Sequence, residues 1–103
     1  MKKIYNKLVR DRIPEIIEKN GEKCIVETLN DEDYEKKLIE KLDEELKEFK
    51  DSKDPEELAD LIEVIFALSA LKGTSERKLM SIRNKKKKER GGFAKKIFLK
   101  EVE

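Results

Sequence analysis

One stretch limits what this chain can fold into more than any other. Residues 58–71 run Leu58-Ala59-Asp60-Leu61-Ile62-Glu63-Val64-Ile65-Phe66-Ala67-Leu68-Ser69-Ala70-Leu71, apolar on most sides yet holding two carboxylates. Such a run has the length and residue types of a helix. Its start is marked by Asp54 as a cap, Pro55 at the first helical position and Glu57 three residues after the cap, as in a capping box. Gly73 marks its end. A helix apolar almost all round is expected to be the central and most buried one. Asp60 and Glu63 conflict with that position, because ionised carboxylates are rarely buried unless paired or bound to a cation.

Three further helices flank it. Asp11 can cap a first helix whose opening turn tolerates Pro14; Ile13, Ile16 and Ile17 give it an apolar side, and Asn20-Gly21 ends it. Residues 24–29 read as an extended linker. A second helix is predicted from Asn30 or Asp31 to about Lys50. Its narrow apolar stripe is Tyr34, Leu38, Leu42, Leu46 (or Glu45) and Phe49. Thr74 or Ser75 caps a fourth helix, faced by Leu79, Met80 and Ile82 and ended at Gly91-Gly92. The segment 93–99 is amphiphilic, suited to a short strand or to docking on a partner subunit. The expected fold is therefore all-α: one domain over residues 1–103, an antiparallel bundle of about four helices whose core is completed by oligomerisation.

Composition supports the shared core. Charged residues make up 48% of the chain and hydrophobic ones 37%, a poor ratio for a stand-alone globule. The charges are segregated although the net charge is +1. Residues 27–63 hold 16 acids against 6 bases, whereas residues 77–100 hold 11 bases against the single acid Glu89. Either the two regions attract each other, or an anion and a divalent cation lie between them.

Cys24 is the only cysteine and histidine is absent. That excludes an intrachain disulfide, a Ser-His-Asp or Cys-His nucleophile and the usual zinc sites. Chemistry is left to carboxylates, hydroxyls, lysines and arginines. The longest apolar run is too short to span a membrane, and a cytoplasmic protein is expected.

Glu57 and Asp60, three residues apart, share a helix face, and Glu45 and Glu48 repeat that spacing on the preceding helix. A short connection around residues 51–54 makes the two helices antiparallel neighbours, so the pairs can face each other. Four converging carboxylates repel unless a hard cation neutralises them, and an all-oxygen donor set favours Mg²⁺, Mn²⁺ or Ca²⁺. Acids are common enough here for such spacings to arise by chance on a solvated face. Asp60 is the strongest of the four, because apolar residues surround it in sequence.

The pattern Glu44-Glu45-x-x-Glu48 followed by Glu56-Glu57-x-x-Asp60 resembles the MazG-like all-α nucleoside triphosphate pyrophosphohydrolases, a superfamily that includes helical dUTPases and phosphoribosyl-ATP pyrophosphohydrolases. The opening Lys7-Leu8-Val9-Arg10-Asp11-Arg12-Ile13-Pro14 and the closing Arg90-Gly91-Gly92-Phe93 look like a small single-domain branch of it. The resemblance implies Mg²⁺, or Mn²⁺, held by Glu45, Glu48, Glu57 and Asp60. It also implies pyrophosphate release from a nucleoside triphosphate, a house-cleaning role on non-standard nucleotides, and assembly as a homodimer or homotetramer. The spacer between the acid pairs is short and little chain remains for a base pocket. Arg10, Arg12, Lys86 and Arg90 are the expected phosphate clamps, Arg90 because backbone can approach closely at Gly91-Gly92.

Three other readings compete. Phosphoribosyl-ATP pyrophosphohydrolase shares the carboxylate logic. A nucleic-acid-binding module would use residues 83–90, but Phe93 is the only aromatic near them and the acidic middle repels phosphate. A structural helical adaptor leaves Asp60 and Glu63 unexplained.

Overall fold

Local capping chemistry sets most of the helix boundaries in the computed structural model, which describes residues 2–103. Four helices follow one another, with no strand among the described residues: α1 (Ile13–Lys19), α2 (Asp31–Ser52), α3 (Pro55–Leu71) and α4 (Glu76–Arg90). The Asn30 side chain accepts from the Asp33 N–H at 2.8 Å, and Ser75 accepts from the Lys78 N–H at 3.1 Å. Each satisfies one donor that the first turn leaves free.

The expected Asp11 cap is not formed. Arg12 occupies the cap position of α1, with no side-chain hydrogen bond. The reason lies in the donors. Ile13 N–H already donates to the Arg10 carbonyl at 3.0 Å, and Pro14 has no N–H to offer. The capping box at α3 is also incomplete. Asp54 accepts from the Glu56 N–H at 2.9 Å, but the Asp54 N–H is taken by Ser52 Oγ at 3.1 Å. Glu57 is thereby released from the cap and is free to face α2.

Between α2 and α3 lie only Lys53 and Asp54. Lys53 takes the left-handed conformation at φ 60, which normally favours glycine. Its ammonium stands 5.8 Å from the centre of the Phe49 ring, a cation–π contact that offsets part of that strain. So short a link forces an antiparallel hairpin. Its register is visible at both ends: Lys72 pairs with Glu35, while Asp60 lies beside Glu45. Leu38 (4% exposed) and Val64 (8%) are the two buried apolar residues of its core.

Helix α3 is central, since it packs on both α2 and α4, but it is not deeply buried. Leu58, Ile62 and Ile65 remain about half-exposed. The expectation of a buried central helix fails because, among the described residues, only the start of α4 approaches this second apolar side, at Ile65. α4 touches α3 only near their connection, around Ile65, Leu68, Leu79 and Ile82, and does not reach α2. α1 packs on no other helix. Residues 24–29 form neither helix nor strand, and Cys24 Sγ lies 3.9 Å from the Pro14 carbonyl. Residues 93–99 form no strand and are exposed. The molecule is long, 62 × 32 × 23 Å, with a radius of gyration of 18.0 Å against about 13 Å for a compact chain of this size.

Candidate metal centre

The hairpin register brings Glu45 of one predicted acid pair beside both members of the other, Glu57 and Asp60. Carboxylate oxygens of Glu45, Glu57 and Asp60 lie within 4.8 Å of one another. Glu48 lies near them, and its contact raises the pKa of both Glu45 and Glu57. Three of the four sequence-predicted ligands therefore meet on one side of the hairpin, one from α2 and two from α3; Glu48 is not within that group.

Glu45 is the distinctive member. It is 6% exposed, and its Oε2 is fully enclosed without a hydrogen-bond partner. Its other oxygen has Lys41 at 3.6 Å. Burial, then the Glu48 contact and repulsion from Glu48 and Asp60, push the Glu45 carboxyl above its usual range despite Lys41. Glu57 is pushed up to about 7 by loss of solvent, then by its bond with Glu48 and repulsion from Glu48, Asp60 and Glu45. No cation pairs with Glu48 or Glu57 among the described residues.

The amino-terminal segment lies along this acidic side. An Arg10 Nη donates to Asp60 at 2.7 Å and its other Nη lies 3.8 Å from Glu63. Lys7 Nζ donates to Glu44 at 3.0 Å, and Lys41 Nζ reaches the same carboxylate at 3.2 Å. Burial alone would raise the pKa of Glu44; the bonds from Lys7 and Lys41 outweigh it and hold the carboxyl below the usual range. The Glu44 bond in turn raises Lys7. Glu44 and Lys41 were given no role from the sequence, although Lys41 sits at helical spacing from both Glu44 and Glu45.

The remaining expected phosphate clamps are placed elsewhere. Arg12 pairs with Glu15 of its own helix at 3.4 Å. Lys86 and Arg90 are exposed on the outer half of α4, and neither pairs with an acid. Arg90 borders a small concavity of about 230 Å³ with Gly92, Phe93, Lys95, Lys96 and Ile97. A more open apolar groove of about 310 Å³ lies between α3 and α4. Neither is lined by the carboxylates.

The residues present fit a hard cation. They supply only oxygen donors, they come from two helices joined by a short turn, and one donor is enclosed with nothing to bind. An uncompensated acceptor in that position is costly, and a bound cation removes the cost. No helix among the described residues is long and apolar enough to cross a membrane.

No family model and no solved structure matches the chain. It is similar to an uncharacterised protein of Mycolicibacterium smegmatis, with 51% identity over 41 residues. That match takes in 40% of this chain and 42% of the relative's length.

Proposed function

We propose that this protein is a Mg²⁺-dependent nucleoside triphosphate pyrophosphohydrolase of the MazG-like kind, releasing pyrophosphate and a nucleoside monophosphate. The observation that carries the reading is the enclosed, unpartnered Oε2 of Glu45 among converging carboxylates. Glu45, Glu48, Glu57 and Asp60 would hold Mg²⁺, with Mn²⁺ as a substitute. Bound there, the cation supplies charge neutralisation and a water acidic enough to deprotonate near neutral pH. One carboxylate of the four takes the water's proton. The water oxygen bonds to the α-phosphorus as the bond to the departing pyrophosphate breaks.

Arg10 has a second task in this scheme. Its guanidinium, already at Asp60, is placed to turn from that carboxylate to a phosphate oxygen when polyphosphate arrives. Lys7 can follow it from Glu44. Arg12, Lys86 and Arg90 extend the cationic surface toward the outer phosphates. The substrate class implied by the resemblance is a non-standard nucleotide in the cytoplasm, and the active form is a homodimer or homotetramer.

Pyrophosphate release from a panel of nucleoside triphosphates, with and without Mg²⁺, tests the reading. Cleavage that requires the metal and is lost in a folded Asp60→Asn variant is expected. The absence of cleavage, together with no Mg²⁺ binding by calorimetry, defeats the proposal.

A further inference from the structure

The outer half of α4 and the segment after it carry charge and apolar surface that nothing in one chain uses. Every residue from 83 to 103 is exposed. Among the described residues, no basic side chain between 77 and 100 pairs with an acid. Phe93, Ile97, Phe98 and Leu99 are 73–98% exposed. An apolar cluster left in water at this density marks an interaction surface.

The hairpin offers what this arm lacks. Successive helical residues turn by about 100°, so Asp60 and Glu63 lie on one side of α3 and Leu58, Ile62 and Ile65 on the opposite side. The first side belongs to a region of 16 acids against 6 bases, complementary to the 11 bases against one acid of residues 77–100. The second side is half-exposed and apolar, continued on α2 by Ile39 and Leu46. The arm does not reach these surfaces in its own chain, because α4 leaves α3 after the contacts of Leu79 and Ile82 and never meets α2.

Surface area and charge complementarity together point to a second copy as the occupant. The chain exposes 9901 Å², whereas a folded monomer of 12.1 kDa exposes about 6,000 Å². The excess, roughly 3,900 Å² per chain, is more than the roughly 1,000–2,500 Å² that each partner gives up in an obligate homodimer. Resting on the oligomeric enzyme proposed above, we infer that residues 83–103 of one copy wrap the α2–α3 hairpin of a second copy, setting Arg90 beside the second copy's carboxylates and the Phe93–Leu99 side chains over its apolar side. Nine residues separate Arg90 from Leu99, a reach of up to about 30 Å, against a helix diameter of about 10–12 Å. One arm can therefore contact both sides of one hairpin. Each metal centre is then built from two chains, carboxylates from one and the outer phosphate clamp from the other.

The test mixes equal amounts of ¹⁴N and ¹⁵N chain, refolded together and joined by a zero-length lysine–carboxylate cross-linker. Links from Lys86, Lys95 or Lys96 to Glu44, Glu56 or Glu63 are expected, about half of them between light and heavy peptides under two-fold exchange. Links confined to one isotope, or none between these segments, overturn the inference. The Phe98→Asp substitution alters a side chain that supports nothing within one copy. It is expected to shift the light-scattering mass toward a single chain, and an unchanged multimeric mass or a monomeric wild type counts against arm exchange. Where cleavage is observed, co-refolding Asp60→Asn with Arg90→Ala should restore about a quarter of wild-type activity, because half the dimers carry one intact site; no restoration places Arg90 in its own chain's site. Cross-links between copies without any nucleotide cleavage would remove the enzymatic reading and leave arm exchange standing. Cleavage without them would do the reverse.

Discussion

Glu45 occupies a position in α2 that Leu46 would fill more simply, and the hairpin turns Glu45 inward and Leu46 out to solvent. A buried acceptor without a partner costs about 1–3 kcal/mol, so Glu45→Gln is expected to stabilise the metal-free protein by about that amount. The same change should abolish any rise in melting temperature on adding Mg²⁺, which thermal denaturation with and without the ion would check. Glu57 gives a pH signature of the same origin. Its carboxyl is raised from 4.5 to about 7, so the folded state holds its proton more tightly than the unfolded state. The metal-free fold is therefore unpenalised below about pH 4.5 and loses stability as pH rises through about 7. Urea unfolding across that window should show the loss, and saturating Mg²⁺ should flatten it. The meeting of Glu45, Glu57 and Asp60 was legible in the sequence, because helical spacing and a short turn suffice to bring them together. The sequence marks Arg10 as a base able to clamp phosphate or to pair with the acidic helices, but not as the partner of Asp60, because a contact across 50 positions leaves no local pattern.

A helix end and a candidate ligand are joined at the α2–α3 corner. Ser52 Oγ binds the Asp54 N–H, and this is what leaves Glu57 free for the carboxylate group. Asp54→Ala removes the α3 cap and is expected to cost about 1 kcal/mol, read from the urea midpoint. Caps of this kind made the starts of α2, α3 and α4 legible, since each depends on one side chain and the next three residues. The start of α1 was misread because the Asp11 reading overlooked that its donors were already spent or missing. Arg10 and Lys7 tie the opening segment to the hairpin through exposed ion pairs, which solvent screens and leaves individually weak. Arg10→Ala is thus expected to leave the melting temperature nearly unchanged while making residues 2–12 much easier to cleave, as limited proteolysis would show.

At the scale of the whole molecule, stability within one chain rests on very little. Leu38 and Val64 are its two buried apolar side chains, and Leu38→Ala should cost about 2–5 kcal/mol, much of what such a hairpin has. The extent of each buried surface was not legible in the sequence. Residues 58–71 announce apolar faces on several sides, but periodicity does not say which face meets which neighbour. Only the α2 face, fixed by the two-residue link, was determined by the chain itself. That link also sets the order of events in folding. Contacts between α2 and α3 are local in sequence, so the hairpin is expected to zip up early, on the microsecond-to-millisecond scale of helical proteins. Arg10 must close a loop of 50 residues onto Asp60 for a weak reward, and so joins last. In native-state hydrogen exchange, amides in the middle of α2 and α3 should exchange slowest and together. Those of α1, which packs on no other helix, should exchange at nearly the unfolded rate.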